Sequence, residues 1–351
     1  MEQNSNQKIA VVALSGGVDS SVCCYLLKEQ GYKVIGITGK MTNSESANIV
    51  CEKAKKVADN LGIGHVVLDL SEDFGKEVVE YFNETYTNGQ TPNPCAVCNR
   101  KIKWGKIFEY AMKVLHADVF ATGHYANIQK FGDYYTLFPA KDPKKDQMYF
   151  LYSLNQENFA KTVFPLYEYE KTEVRKIAEK IDVPSKAQKD SQDICFIEKP
   201  ETLKTYLKNL FGEKKGDFIH IRTGKKLGEH TGYYKYTIGQ RRGLEIAYSE
   251  PLYVIKIDAE NNTVYVGEKP EAYGTELELT NLHFVYPVEE KSFDIDTKIR
   301  YNMEKVPVHV DIEGDRAKMI FSEPVYSITS GQIAVFYDRN DGHLIGGGTI
   351  I

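Results

Sequence analysis

The chain has 351 residues, 42% of them hydrophobic, with 44 Lys and Arg against 49 Asp and Glu and a formal net charge of −5 at pH 7. That length calls for roughly two or three domains with ordinary cores, and the charge excludes a chain that is basic over its whole surface while leaving room for a local basic face. Residues 1–8 are polar with no apolar leader core, and no run approaches the ~20 apolar residues of a membrane span, so the default location is the cytoplasm.

In chain order, Ile9–Leu14 has the length and composition of a buried parallel strand, and Ser15-Gly16-Gly17-Val18-Asp19-Ser20-Ser21 follows it directly. Two adjacent glycines let the backbone approach an anion. The hydroxyls of Ser15, Ser20 and Ser21, with the free N–H groups of a starting helix, can then bind phosphate oxygens. The segment has neither the Lys nor the spacing of a Walker A loop, so transfer of a γ-phosphate is not its chemistry. A Gly-Gly turn with no ligand is the plainer alternative, and the strand, loop, helix order favours the anion site.

Further strand-like runs at Lys33–Thr38, His65–Leu70 and Val119–Thr122 alternate with helical patterns. A helix over 47–61 places Val50, Cys51, Ala54, Val57, Ala58 and Leu61 on one side. Another over 170–181 packs Val174, Ile177, Ala178 and Ile181, with Lys171 and Arg175 on its other face, where they are expected to meet RNA. Strand and helix in alternation predict a doubly wound parallel sheet whose ligand lies beyond the carboxyl ends of its strands. Both 15–21 and Gly123-His124-Tyr125 fall at that edge.

Six cysteines in a cytoplasmic chain are not a disulfide framework. Thr91-Pro92-Asn93-Pro94-Cys95-Ala96-Val97-Cys98-Asn99 carries two thiols three positions apart, and a third sits in Lys189-Asp190-Ser191-Gln192-Asp193-Ile194-Cys195-Phe196. None of the three lies on an apolar helical stripe, whereas Cys23, Cys24 and Cys51 read as small buried hydrophobes. The basic neighbours Arg100, Lys101 and Lys189 favour the thiolate that nucleophilic and metal chemistry both require. A closed zinc site is the blander reading, but it wants four ligands and these segments offer three thiols and no His.

After about residue 200 the pattern changes. Between Lys199 and Arg242 there are eleven Lys and Arg against four Asp and Glu, interleaved with Tyr206, Phe211, Phe218, Tyr233, Tyr234 and Tyr236. Such a face can position phosphates and stack bases, or be a solvated surface. Tyr253-Val254-Ile255 and Val264-Tyr265-Val266 flank Asn261-Asn262 as a hairpin in a small β-rich middle domain. From about 275, alternating segments such as Val308–Ile312 and Ile333–Tyr337 predict a compact antiparallel barrel. The expected domains are 1–200, 201–272 and 273–351, with no internal repeat.

The loop at 15–21 resembles the PP-loop of ATP pyrophosphatases. Taken with Thr91–Asn99, Ala121–Ala126, Lys144–Leu151, Asp190–Phe196, Tyr236–Leu244 and Gly331-Gln332, in this order, the chain resembles the bacterial-type tRNA-specific 2-thiouridylases over nearly its whole length. The resemblance implies an α/β fold: a doubly wound PP-loop domain, a small β-rich tRNA-binding middle domain and a C-terminal antiparallel β-barrel. It implies ATP, with Mg2+, as the activating nucleotide, tRNA as substrate, and a sulfur-relay protein or cysteine desulfurase as sulfur donor to a monomeric enzyme that needs no membrane. Adenylation of the 2-oxygen of the wobble uridine, position 34, would create a leaving group that sulfur displaces.

Residue by residue, the resemblance assigns ATP binding to Ala13, Leu14, Ser15, Gly16, Gly17, Val18, Asp19, Ser20, Gly39 and Gly123. It assigns the target base to Asn93, Pro94 and Cys95, and tRNA contact to His124, Lys145, Asp146, Gln147, Arg300, Tyr301 and Gln332. Cys195 corresponds to the persulfide carrier, and Cys98 to the nucleophile or to the thiol that resolves the intermediate through a transient disulfide. Lowered thiol pKa values would help both. Cys95 stands where many members have Asp, which leaves its role open. The alternative is that Cys95, Cys98 and Cys195 are three ligands of a [4Fe–4S] cluster. Gly39 stands where the family often has a Met that touches adenine, so that contact would be made by backbone. Two other functions share features of the chain: an ATP-dependent amide-forming ligase, which needs no thiols beside the nucleotide, and an RNA-binding protein with a decayed nucleotide site.

Overall fold

The structure is a computed structural model that describes residues 7–184 and 194–351. Lys189 and the Asp190-Ser191-Gln192-Asp193 part of the third cysteine motif lie outside the described residues.

The first unit alternates as its periodicity requires: β1 (Ile9–Ala13), α1 (Val18–Glu29), β2 (Lys33–Lys40), α2 (Glu45–Leu61) and β3 (Gly64–Asp69). A long helical arm follows as α3 (Ser71–Phe74), a π-helical stretch Gly75–Val79 and α4 (Glu80–Thr87). A second arm comprises α5 (Pro94–Cys98), a π-helical stretch Asn99–Ile107 and α6 (Phe108–Lys113). Then come β4 (Val119–Ala121), the hairpin β5 (Asn127–Phe131) and β6 (Tyr134–Phe138), α7 (Gln156–Lys161), β7 (Thr162–Val163) and α8 (Lys171–Lys180). The parallel sheet has the order β3-β2-β1-β4-β7. Strand order reverses between β1 and β4, and ligand crevices open at such a switch point. The β5/β6 hairpin breaks the alternation expected of this region and forms a separate two-stranded sheet.

Burial agrees with the predicted faces of α2 only in part. Ala54, Val57, Ala58 and Leu61 are buried, but Val50 is exposed and Cys51 only half-buried, because the first turns of the helix run past the sheet edge. Cys23 and Cys24 are fully buried on α1, as small hydrophobes should be.

The middle unit comprises α9 (Leu203–Phe211), β8 (Gly216–His220), β9 (Lys226–His230), β10 (Tyr253–Asp258) and β11 (Thr263–Gly267). Its sheet runs β10-β11-β8-β9, with the β10/β11 hairpin at Asn261-Asn262 where expected and a parallel β11/β8 pair that is not a hairpin. The aromatic residues expected to stack on bases are internal. Phe218 and Tyr234 are buried, and Tyr206, Phe211, Tyr233 and Tyr236 pack around them. Much of the basic excess is paired as well, Lys208 and Lys235 with Glu213, Lys226 with Asp217, and Arg222 with Glu268 and Glu271.

The last unit is a closed barrel of β12 (Tyr273–Phe284), β13 (Ser292–Lys298), β14 (Val306–Glu313), β15 (Arg316–Tyr326), β16 (Ile333–Tyr337) and β17 (Leu344–Ile350), every neighbour antiparallel. The alternation in β15 sends Ala317, Met319 and Phe321 inward and leaves Lys318 and Ile320 to solvent. All five residues of β16 are buried. Ala334 and Phe336 fill the barrel, while Ile333, Val335 and Tyr337 join the core of the first unit with Trp104, Phe120 and Tyr149. The barrel is therefore welded to the sheet domain through a shared apolar core.

Candidate active site

The loop after β1 is pinned at its root. Leu14 N–H donates to the Ile37 carbonyl at 2.8 Å, and Thr38 Oγ1 donates to the Leu14 carbonyl at 2.6 Å. Leu14 and Val18 are buried, so they can offer a ligand little but backbone. Ser15 and Ser20 hydroxyls lie 3.2 Å apart, Ser20 Oγ donates to the Gly17 carbonyl at 3.2 Å, and Ser21 Oγ donates to the same carbonyl at 2.7 Å. These bonds rigidify the loop and leave Gly17, the N-cap of α1, without a side chain capping the helix. The free N–H groups and the positive end of the helix dipole then face an open cradle.

The two glycines do different jobs. Gly16 has φ +72°, and a Cβ there would stand 2.8 Å from Ala54 N and 2.9 Å from Lys53 Cβ on α2. Gly17 has an ordinary extended backbone, and a Cβ there would meet only Ser15 Oγ at 3.4 Å. A side chain at position 17 would occupy the space that a phosphate needs. Gly123 closes the opposite wall, its Cα side packed so tightly that a Cβ would lie 2.9 Å from Asp19 Cβ and 3.0 Å from Ser20 N. At Gly39 the space of a side chain is filled by Met41, Ile107 and Leu70.

Asp19 is the one carboxylate of the loop, and Lys171 holds it. Lys171 Nζ donates to both carboxylate oxygens at 2.7 Å, and Tyr125 Oη donates to Oδ1 at 3.0 Å. Lys171 is 8% exposed. The residue expected to face RNA therefore faces the nucleotide loop. One sequence signal was available: a Lys in the first turn of a helix opposes the helix dipole, which points to a partner elsewhere.

The thiols come from two directions. Asn93 caps α5, its Oδ1 accepting from Ala96 N–H at 3.2 Å, and Pro94 follows at the first helical position, where its fixed φ and missing N–H cost nothing. Cys95 and Cys98 sit one turn apart on this helix. Cys195 is carried by a turn closed by Ile197 N–H donating to the Ile194 carbonyl at 3.1 Å. Phe196 anchors that turn with edge contacts to Phe82 at 5.1 Å and Phe74 at 5.9 Å on the first helical arm.

All three thiols are reduced, and each lies within the electrostatic field of the others. Their acidity runs against expectation. Although Cys95 and Cys195 reach solvent, desolvation by the surrounding protein pushes all three thiols up, Cys195 to about 12 with help from Cys98 and Cys95. The opposing cation is Lys103, not Arg100 or Lys101. Arg100 is exposed, and Lys101 is turned to Glu77 at 3.3 Å.

The thiols are not gathered around a single metal ion. Among the described residues, the one set of three His, Cys or carboxylate ligand atoms within 4.8 Å of one another is Asp338, Asp341 and His343, far along the chain in the barrel. Both nitrogens of His343 are already bonded, to Asp341 and Tyr286. For a [4Fe–4S] cluster the donor set stops at three, since Cys23 and Cys24 are buried on α1 and Cys51 interacts with Lys40 and Asp69 instead. Such clusters normally take four thiolates, and desolvation disfavours three at once. The residues do not fit that group.

Of the residues expected to contact tRNA, Asp146, Gln147 and Gln332 also bond the chain's own loops. Gln147 Oε1 accepts from Tyr125 N–H at 3.1 Å, and the Asp146 carboxylate accepts from Ala140 N–H at 3.0 Å and Met148 N–H at 3.1 Å. Gln332 Nε2, reaching across from the barrel, donates to the carbonyls of Thr91 at 3.2 Å and Pro92 at 3.0 Å. His124 is packed between Trp104 and Phe164 with Nδ1 2.7 Å from Thr122 Oγ1, and burial holds its pKa well below the usual value, so the ring is neutral. Lys145 lies in the same loop, its N–H on the Asp142 carbonyl at 3.1 Å. Tyr301 stacks 4.6 Å from Phe150, and Arg300 lies 5.5 Å over the Tyr326 ring.

The sheet domain thus offers a Gly-Gly turn at an uncapped helix N-terminus, a carboxylate and lysine beside it, and a cluster of three thiols. Comparison with known proteins agrees along the chain. Residues 7–199 match a family described as tRNA methyl transferase HUP domain, 204–268 a tRNA methyl transferase PRC-barrel domain and 274–350 an aminomethyltransferase beta-barrel domain. The tRNA-specific 2-thiouridylase MnmA of Aquifex aeolicus is 42% identical over 352 residues, covering 97% of this chain and 98% of that protein. Its counterpart from Rippkaea orientalis is 41% identical over 349 residues, covering 97% and 98%. Among solved structures, the U34-tRNA thiolase NcsA of Methanococcus maripaludis, described with its [4Fe-4S] cluster, is 22% identical with a TM-score of 0.36, covering 55% of this chain and 60% of that one, a likeness too weak to bear on the chemistry.

Proposed function

The chain belongs to the tRNA-specific 2-thiouridylase family, and from that premise we infer that it is a tRNA-uridine 2-sulfurtransferase that places sulfur on the wobble uridine at the expense of ATP. The observation that carries the reading is the coexistence in one sheet domain of an uncapped helix N-terminus after a Gly-Gly turn at the switch point of the sheet and of three thiols, Cys95, Cys98 and Cys195, that lie in one another's electrostatic field.

A uracil carbonyl is a poor electrophile with no leaving group, so the nucleotide is used to make one. The cradle of Ser15, Gly16, Gly17 and Ser20 binds the β- and γ-phosphates and leaves the α-phosphorus open to the uridine 2-oxygen, which becomes adenylated as pyrophosphate departs. Asp19 is the residue that would hold Mg2+, which neutralises the phosphates; in the free protein its charge is matched by Lys171. A persulfide on Cys195, loaded by a sulfur-relay protein or cysteine desulfurase, supplies the sulfur. Its terminal sulfur forms a bond to C2 as the C2–O bond breaks and AMP leaves. The Cys98 thiolate then attacks Cys195 Sγ, releasing thiouridine and forming a Cys98–Cys195 disulfide that an external thiol reduces. This relay needs one anionic sulfur at a time, which suits a pocket that disfavours thiolates. Asn93, Pro94 and Cys95 form the platform for the base, and the loop held by Gln147 with Arg300 and Tyr301 forms the tRNA-facing wall.

An amide-forming ligase has no use for such a set of thiols. Incubation with labelled ATP and unmodified tRNA tests the assignment. Pyrophosphate and AMP release that depends on tRNA, with thiouridine appearing once persulfide is supplied, is the expected result; turnover that depends on a small amine, or none, refutes it.

A further inference from the structure

We propose that Lys103 is a catalytic residue of the sulfur-transfer step, its ammonium balancing the negative charge that passes from the attacking sulfur to the departing AMP. The proposal rests on the reading of the site given above and adds a residue to it.

The placement of Lys103 follows from an irregularity of the helix. Cys98 is followed directly by nine residues, Asn99–Ile107, that wind as a π-helix. In that winding the hydrogen bonds span five residues and each turn takes in more residues than in an α-helix, so residues five apart stay on the same side of the helix. Lys103 is five beyond Cys98. In an ordinary α-helix, at 3.6 residues per turn, five residues rotate by about 140° and would turn Lys103 away from the thiols. The π-helix keeps it on their side instead, and Lys103 accordingly acts on Cys95, Cys98 and Cys195 and on His124, whose ring packs on the adjacent Trp104. His124 follows Gly123, the residue packed against Asp19 and Ser20 of the nucleotide loop. Lys103 therefore lies beside the thiols and beside the residue that follows this wall of the loop.

Among the described residues its charge is uncommitted. Lys101 pairs with Glu77 and Lys106 with Asp73, both on the neighbouring helical arm. Among the described residues no carboxylate pairs with Lys103, although it is half-buried. A half-buried ammonium with no protein counter-ion is costly unless an anion is to arrive. The nearby His124 is neutral and cannot share that role.

The chemistry supplies the anion. The persulfide sulfur carries a negative charge when it attacks C2; as the C–S bond forms and the C–O bond breaks, that charge moves to the phosphate of AMP. Electrons and atoms balance without an oxidant. A fixed cation beside the thiols interacts with that charge as it leaves the sulfur and is shared with the departing phosphate, which is where electrostatic catalysis acts. The Lys171 ammonium, held on Asp19 at 2.7 Å, is placed for the pyrophosphate end instead.

The test compares Lys103→Met and Lys103→Arg with the parent enzyme in single turnovers, after loading with persulfide and mixing with ATP and unmodified tRNA, while adenylated tRNA and thiouridine are followed separately. The parent must first show tRNA-dependent pyrophosphate release; if it does not, the functional assignment fails rather than this one. With that established, Lys103→Met should adenylate tRNA within about threefold of the parent, accumulate the adenylate, and form thiouridine at least 100-fold more slowly, an effect of the size that loss of one transition-state donor produces. Lys103→Arg should recover a substantial part of the rate, which a merely structural role would not allow. Thiouridine formation at the parental rate in Lys103→Met overturns the proposal, as does equal loss of adenylation and transfer.

Discussion

Adjacent glycines in the nucleotide loop should respond to the same kind of substitution in opposite ways. Gly16→Ala forces a side chain onto a backbone at φ +72°, against Ala54 N at 2.8 Å and Lys53 Cβ at 2.9 Å. The left-handed backbone costs about 1–2 kcal/mol. Overpacking against the backbone of α2, which cannot swing aside, adds about 1–3 kcal/mol. The combined loss of roughly 2–5 kcal/mol should lower the melting temperature by roughly 4–20 °C, since a domain of this size loses about 2–4 °C per kcal/mol. At Gly17 the backbone is ordinary and the nearest atom to an added Cβ is Ser15 Oγ at 3.4 Å. Gly17→Val should therefore stay within about 1 kcal/mol of the parent while filling the cradle. Differential scanning calorimetry gives the first quantity and tRNA-dependent release of labelled pyrophosphate the second. The expected pattern is a destabilised Gly16→Ala, and a stable Gly17→Val that releases no pyrophosphate. A Gly17→Val protein that adenylates tRNA at the parental rate would refute the reasoning about the cradle, and a Gly16→Ala protein with an unchanged melting temperature would refute the packing argument.

Lys171→Met leaves Asp19 with Tyr125 alone and should cost about 1–3 kcal/mol, the range for hydrogen bonds to charged groups, while raising KM for ATP; identical melting and nucleotide kinetics would mean that the Lys171–Asp19 pair is incidental. Gly331→Ala, at φ +87° with its Cβ 2.9 Å from Gln90 Cβ and from both N and O of Thr91, should push the barrel turn off the base-facing loop. Thiolation should then fall with binding of ATP alone unchanged, and full thiolation would show that the clamp is dispensable. Cys195→Ser should adenylate tRNA yet form no thiouridine, Cys51→Ser should behave as the parent, and the parent freed of iron should turn over fully. Equal thiolation by the parent and Cys195→Ser would sink the relay, and a strict requirement for iron would revive the cluster.

Among the assigned residues, those whose placement was legible share a physical property: their role is local. Strand, Gly-Gly turn and helix N-terminus are consecutive, so the anion cradle at 15–21 could be read from adjacent letters. The burial of Cys23 and Cys24 on α1 was legible for the same reason. The fold class was legible because alternation of strand and helix, or of inward and outward residues as in β15, is itself a short-period pattern. The resemblance supplied the pairing of Cys98 with Cys195, which no local pattern implies.

What the tertiary structure decided depends on residues far apart in sequence, or on solvent. Lys171 meets Asp19 across 152 positions, and Gln332 meets Thr91 across 241. Nothing near either residue in the chain announces these bonds. Side chains expected to reach for tRNA are bonded to the loops that shape the site, and the aromatic residues of the middle unit pack into its core. Thiol acidity went the opposite way from the reading of basic neighbours, because a charge five residues along a helix matters less than the water that the surrounding protein removes. The sequence by itself determined the strand, Gly-Gly turn and helix start at 15–21 and which thiols are candidates. Only the folded chain, through desolvation and through a π-helix that keeps Lys103 on the side of Cys98, decided which charges those thiols meet.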